Sequence, residues 1–481
     1  MNKQFSNSLD ENVKNLNKLL DIDKSFDLIY RVMEIGGRKI CFYFIDGFTR
    51  DEIMEKLLES FQKIESTAFP NTAYEFSKKY IPYGEVDILK DEQTFVKMLL
   101  SGVPCLVIDG YAEILAIDFR TYPARSVDEP EKDKVMRGSR DGFVETIVFN
   151  CALIRRRIRS PHLAMETFAV GESSKTDIVV SYMSDRVDKK ILNEIKKRIQ
   201  EIKIDSLTMN DESLAECLYQ HKWYNPFPKF KFSERPDTAA ASILEGNIII
   251  LVDNSPSAMI LPTSVFDIIE DADDYYFPPI TGTYLRLSRF IIDIAALILT
   301  PTFLILMNHP EWIPPSLQFI IIKDPINVPI IFQLLILEFA IDGLRLASLN
   351  TPSMLSTPLS VVAGIVLGDF TVSSGWFNSE IMLYMAFVAI ANYTQSSFEL
   401  GYALKFMRII MILLSGIFDV WGYVIGIIII ATAIVRNRTI SGQSYIYPLI
   451  PFDAKQLLRR FCRVSLPRAK SVQKNERNNK N

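Results

Sequence analysis

From Leu287 to Arg436 the chain is mostly apolar, and that run limits its possible folds more than any other feature. A bilayer core is about 30 Å thick, which a helix of about 20 residues crosses. "RLSRFIIDIAALILTPTFLILMNHP" supplies a first span of that kind, with Arg286 and Arg289 at its N-terminal edge. "EIMLYMAFVAIANYTQ" (380–395) is a further apolar helix. "FMRIIMILLSGIFDVWGYVIGIIIIATAIVRNR" (406–438) is longer than one straight span needs, so it is expected to be tilted, or broken around Ser415, Gly416 and Gly422.

The middle of the run is harder to read. "LQFIIIKDPINVPIIFQLLILEFAIDGLRLAS" predicts one span over 326–347, preceded by an interfacial piece broken at Lys323, Asp324 and Pro325. "STPLSVVAGIVLGDFTVSSGWFN" (356–378) is apolar but too short to cross, which predicts a re-entrant segment buried in protein or lining water. Glu338, Asp342 and Arg345 fall at i, i+4 and i+7, one face of a helix. An ionisable group at membrane depth costs about 2.5–3.5 kcal/mol, so these three must face protein or water. Asp342 and Arg345 suit an i, i+3 pair, and Arg345 also reaches the membrane edge, which leaves Glu338 as the deepest charge. Asp369, Glu380, Asn392, Gln395 and Asp419 are further polar groups in the same run.

Basic residues set the orientation. Arg286 and Arg289 precede the first span, Arg345 ends the second, and the tail carries Arg436, Arg438, Lys455, Arg459, Arg460, Arg463, Arg468 and Lys470. An excess of Lys and Arg marks the cytoplasmic side, so both termini are expected there, with four crossings between them. "MNKQFSNSLDENVKN" has no apolar h-region and does not read as a signal peptide. Five widely spaced cysteines match no CxxC pattern and read as reduced thiols.

Residues 1–285 are rich in charge and read as soluble α/β structure. "RKICFYFIDGFTRDEIMEKLLESFQKI" predicts a strand, an Asp-Gly turn and an amphipathic helix. "FVKMLLSGVPCLVIDGYAEILAIDFRTYP" predicts a helix and a hairpin around a second Asp-Gly turn. The expected organisation is a polar segment (1–24), a first α/β subdomain (25–125), a charged linker (126–140), a second α/β subdomain (141–285), an α-helical polytopic membrane domain (286–438) and a basic cytoplasmic tail (439–481). The formal charge of −4 argues neither for nor against a nucleic-acid partner.

No motif in the soluble half carries catalytic chemistry, so no enzyme activity, cofactor or metal is expected. "VGESSKTDIVV" lacks the first glycine of a phosphate loop, and a strand follows where a helix should begin. His162, His221 and His309 are scattered, with no metal-ligand spacing. Arg155, Arg156 and Arg157 sweep about 200° around a helix, so they do not share one solvent face. Either one of them makes a buried salt bridge, or they dock a partner subunit or an acidic loop; no accompanying pattern suggests nucleic acid.

Several blocks carry a resemblance. "GSRDGFVETIVFNCALIRRRIRSP", "VGESSKTDIVVSYM", "FSERPDTAAASILEGNIIILVDNSPSAMILP" and "DADDYYFPPITGTYLRLSRF" are similar, in this order, to those of the spore germinant receptor A-subunit family. "SVDEPEKDKVMRGSRDGF" and "SYIYPLIPFDAKQLLRRF" lean toward its stage V sporulation branch rather than its nutrient-sensing subunits. The resemblance implies a multi-pass protein of the spore inner membrane that acts in germination. It implies a homo-oligomer, a pentamer, with a central ion-conducting pore, a small membrane partner protein and germinant receptor complexes nearby. A nutrient receptor subunit and a non-conducting scaffold are the competing readings. In such a ring one carboxylate per chain becomes a ring of carboxylates, which favours cations. Val362, Ile365 and Val366 would then form a hydrophobic gate with Asp369 at its mouth, and Glu338 and Asp342 would line or brace the vestibule.

Overall fold

The computed structural model describes residues 4–81, 85–121, 135–219, 224–350, 364, 368, 370–440 and 442–463. Its contacts group the chain into two units, one of residues up to 220 with 230–262, the other of 221–229 with 263 onward. The first unit is α/β and the second helical, the order of classes the composition predicts.

The α/β unit is built twice. The first half runs α1 (Leu9–Leu20), β1 (Leu28–Ile35), β2 (Arg38–Ile45), α2 (Asp51–Gln62), α3 (Ala73–Tyr80), β3 (Glu85–Leu89), α4 (Glu92–Leu100), β4 (Cys105–Ile108) and β5 (Ile114–Asp118). The second half repeats that order as α5 (Ile147–Arg157), β6 (Leu163–Val170), β7 (Thr176–Met183), α6 (Lys189–Glu201), α7 (Asn210–Leu218), β8 (Lys231–Ser233), α8 (Pro236–Glu245), β9 (Ile248–Val252) and β10 (Ala258–Leu261). Each forms one antiparallel five-stranded sheet, β1-β2-β4-β5-β3 and β6-β7-β9-β10-β8, so the strand order is the same.

Local polar contacts repeat as well. Asn12 accepts from Ser6 N–H at 2.9 Å and donates to its carbonyl at 2.6 Å. Asn150 does the same with Val144, at 2.8 and 2.6 Å. Asp109 takes the free N–H of Leu9 at the start of α1 (2.9 Å), and Asp253 takes that of Ile147 at the start of α5 (3.2 Å). Both carboxylates thus satisfy orphan donors at a helix N-terminus, where the dipole favours negative charge. The Asp-Gly turn after β4 is explained by capping and needs no catalytic reading.

Helix α1 packs into the first half, burying Leu9, Leu16 and Leu20 beside Tyr43 and Phe95. The polar N-terminal segment is therefore part of the first sheet's core. The second core gathers Ile154, Leu163, Met165, Val179, Ile249 and Leu251. Cys41, Cys105 and Cys151 are buried free thiols, outside any disulfide. Burial pushes the Cys41 thiol up to about 12, the mark of an inert structural cysteine. Most of the expected linker, 126–140, lies outside the described residues.

The helical unit contains α9 (Val265–Ile269), α10 (Asp273–Tyr276), α11 (Pro279–Asn308), α12 (Ile330–Asn350), α13 (Ser379–Tyr393), α14 (Phe398–Val435) and α15 (Ala454–Phe461). Helices α11 and α14 are each long and apolar enough to cross a membrane. Near the start of α11, Arg286 binds Glu270 at 2.5 Å and Asp274 at 3.2 Å, and Arg289 binds Asp274 at 2.8 Å.

The long apolar run over 406–438 is not one span. At Asp419 the backbone leaves the helix (φ 53°, ψ −132°) and the chain turns back on itself. The α-carbon of Gly422 comes against the Leu414 carbonyl, and Gly426 against Met411. The two arms, 398–418 and 420–435, are about 31 and 24 Å long at 1.5 Å per residue. The Asp419 conformation lies outside the left-handed helical region in which aspartate is tolerated, and its carboxylate is held there from outside. Asn308 Nδ2 donates to it at 3.2 Å, and the His309 imidazole is its second partner.

Candidate functional site

Glu338 is 2% exposed and Arg408 fully buried. Arg408 Nε meets Glu338 Oε1 at 2.5 Å and its NH2 meets Oε2 at 3.0 Å, a two-pronged pair between α12 and α14. The remaining prong, NH1, donates to the Ala296 carbonyl of α11 at 2.9 Å. One guanidinium therefore ties three helices together. One turn earlier on α14, Lys405 donates to the Glu338 carbonyl at 3.1 Å and pairs with Asp342. Two carboxylates face two cations, so the cluster is formally neutral, the condition under which charge survives away from water.

Arg345 completes the α12 stripe differently. Its guanidinium lies over the rings of Phe398 and Tyr402, 4.5 and 5.0 Å from their centres, at the start of α14. It makes cation–π contacts there. At the other end of α12, buried Gln333 donates to Asn378 Oδ1 at 2.9 Å and accepts the Asn378 N–H at 2.9 Å. Asn378 immediately precedes α13, so that clamp sets α12 against α13. Between the two fixings lies an apolar core of Phe303, Leu304, Leu334, Leu337, Ile381 and Met385.

Lys405 and Arg408 were not apparent from sequence reasoning. The signal was present: in "LKFMRIIM" two cations stand at i, i+3 inside an apolar run, the spacing needed to face Glu338 and Asp342. The gate candidates Val362, Ile365 and Val366, and Asp369, lie outside the described residues.

In the α/β unit, Arg155 is buried and pairs with Asp27 through Nε (2.8 Å) and NH2 (2.9 Å). Its NH1 donates to the carbonyls of Leu163 (3.1 Å) and Ser160 (3.4 Å). Asp27 precedes β1 of the first sheet and Leu163 begins β6 of the second, so Arg155 joins the two halves. Arg157 reaches Ser139 and Asp141, at 3.1 and 3.0 Å, and Arg156 is exposed. Of the three arginines, one is thus a buried tie, one braces the entry to α5, and one faces outward.

Comparison with known proteins settles the lineage. A model of the Bacillus/Clostridium GerA spore germination protein family matches residues 14–475. The chain belongs to the GerA spore germination family. Stage V sporulation protein AF of Bacillus subtilis (strain 168) is 34% identical over 447 residues, covering 93% of this chain and 90% of that one. Spore germination protein KA of the same organism is 28% identical over 467 residues, covering 96% and 85%. The crystal structure of the N-terminal domain of the A subunit of the Bacillus megaterium spore germinant receptor GerK3 is 26% identical, with a TM-score of 0.42, covering 55% of this chain and 97% of that one. With the apolar α11 and α14, membership of this family makes the chain a membrane-associated germination protein.

Proposed function

We propose that this GerA-family chain is one subunit of an oligomeric channel that releases monovalent cations during germination. On this reading it lies in the inner membrane of the spore, crosses it several times and keeps both termini on the core side. It assembles with copies of itself, with a small membrane partner protein and beside germinant receptor complexes. The observation that carries the reading is the neutral cluster of Glu338, Asp342, Lys405 and Arg408. Four charges among apolar helices are costly, and a passive anchor needs none of them. Paired, they lock α11, α12 and α14 into a stiff frame. A hydrophobic constriction needs such a frame, because gating by dewetting depends on a narrow, held radius.

Reconstitution tests this. The purified chain, with and without its small membrane partner, goes into liposomes that report monovalent-cation flux. Flux is expected, Val362→Ala is expected to raise it at rest, and Asp369→Asn to lower cation preference while assembly is unchanged. If both variants assemble and conduct as the parent does, the pore lies elsewhere. If nothing conducts although oligomers form, the scaffold reading replaces this one.

A further inference from the structure

His309 directly follows α11, and its two ring nitrogens face two carboxylates. Nδ1 lies 3.2 Å from Glu311 Oε1, and Nε2 meets Asp419 at the turn between the arms of α14. The ring stacks on Trp312, with centres 4.5 Å apart and planes 12° from parallel. A neutral imidazole has one N–H and donates to one carboxylate, whereas the imidazolium donates to both. The cation also gains from the indole face. Asp419 and Glu311 are the charged groups that act on His309, and the bond to Asp419 above all raises its affinity for a proton. Two more contacts reach the turn from α11. Asn308 Nδ2 donates to Asp419 at 3.2 Å, and the hydroxyls of Thr302 and Tyr423 lie 2.8 Å apart. Of these contacts, the one made by His309 is the one that changes charge between about pH 5 and 8. It holds a residue whose backbone (φ 53°, ψ −132°) is strained for a side chain of any size.

We propose that His309 is a pH-operated latch on the α14 hairpin. As an imidazolium it fastens the Asp419 turn to the end of α11; as a neutral ring it lets the turn open. The first arm of the hairpin carries Lys405 and Arg408, which stay bound to α12 whatever the state of His309. The return arm, 420–435, rests on the first at Gly422 and Gly426 and is the part that loosens. The folded state binds the proton more tightly than the unfolded chain. The latch is therefore complete below the ordinary imidazole value of about 6.5 and is lost as pH rises through the raised one. The side chains of His309 and Asp419 are 27% and 42% exposed, so water screens the pair. Closure is accordingly expected to shift opening by roughly two- to fivefold. The latch lies within one chain and does not rest on conduction or on oligomer formation.

Hydrogen exchange of the purified full-length chain in lipid nanodiscs tests this between about pH 5.5 and 8.5, corrected for the pH dependence of intrinsic exchange. Protection of peptides spanning 412–424 is expected to fall by that factor as pH rises, with peptides around Arg408 unchanged. In His309→Gln the same peptides are expected to show the lower protection at every pH. Asp419→Asn is expected to lose the pH response too, and Glu311→Gln to keep it with a lower midpoint. His309→Gln leaves the Asp419 carboxylate and its bond from Asn308 in place, so it remains informative should Asp419→Asn not insert. A pH response that persists in His309→Gln overturns the latch. A parent with no response at 412–424 overturns it as well, and so does a response that vanishes in Glu311→Gln but survives in Asp419→Asn.

Discussion

Replacing Arg155 by Met removes a guanidinium that makes two bonds to Asp27 and two to backbone carbonyls while fully buried. Asp27, 2% exposed, is left charged and unpaired. Breaking a buried pair by removing one partner costs about 3–5 kcal/mol, mostly the stranded charge. At 1.36 kcal/mol per power of ten, that is about 10²- to 10³-fold or more in the opening equilibrium. Hydrogen exchange of the intact chain reads it directly in peptides spanning β6, whose first residue, Leu163, gives its carbonyl to Arg155. Protection there is expected to fall by that factor in Arg155→Met. The double variant Asp27→Leu with Arg155→Met is expected to recover most of it, because an apolar pair of similar volume replaces a buried ion pair at little cost. Arg155→Lys should fall between, since an ammonium lacks the fork that spans both Asp27 oxygens. If Arg155→Met alone leaves β6 protection at the parental level, the tie is not what holds the two sheets.

Three further outcomes follow from the same geometry. Arg408→Met leaves buried Glu338 only Lys405, at 3.9 Å, and is expected to lower accumulation of the membrane-inserted chain, measured by immunoblot of membranes, whereas Glu338→Met with Arg408→Met restores it. Gly422→Ala puts a methyl against the Leu414 carbonyl and is expected to cost about 1–3 kcal/mol by overpacking, lowering the melting midpoint in detergent; Gly416→Ala meets only the flexible end of Ile331 and should cost less. Burial raises the Asp46 carboxyl above its usual range, helped by Asp27 and Asp51 and opposed by the Gly47 N–H. The folded state thus holds its proton more tightly than the unfolded chain, and stability drops as pH rises from the unfolded pKa through the folded one. Asp46→Asn removes that penalty, so it is expected to melt above the parent at pH 7, with the advantage vanishing as pH falls toward about 4.

Sequence periodicity was a good guide to single elements. The stretches around both Asp-Gly turns form β2 with α2, and the β4–β5 hairpin, where they were expected. Long-range pairing was not legible. Arg155 finds its carboxylate 128 positions earlier and Arg408 finds Glu338 70 positions earlier, distances at which spacing says nothing about contact. A break in the long apolar run was legible around Ser415, Gly416 and Gly422, but its form as a hairpin at Asp419 was not, because both arms are equally apolar and the reversal rests on one backbone conformation. The duplication was hidden too: what recurs is strand order and a few polar contacts, while the buried side chains have diverged.

That duplication puts a demand on the ribosome. Leu9 and Ile147, equivalent starts of the two halves, stand 138 residues apart. At about 5–20 residues per second the second half emerges roughly 7–28 s after the first. Mixed α/β domains complete folding well within that interval. The first sheet can therefore close β1 onto β2 and β4 before β7, which occupies the same place in the other sheet, has been made. Synthesis order separates two sets of strands that are geometrically interchangeable. A chain unfolded whole and refolded in one step loses that separation and is exposed to pairing between the two sheets.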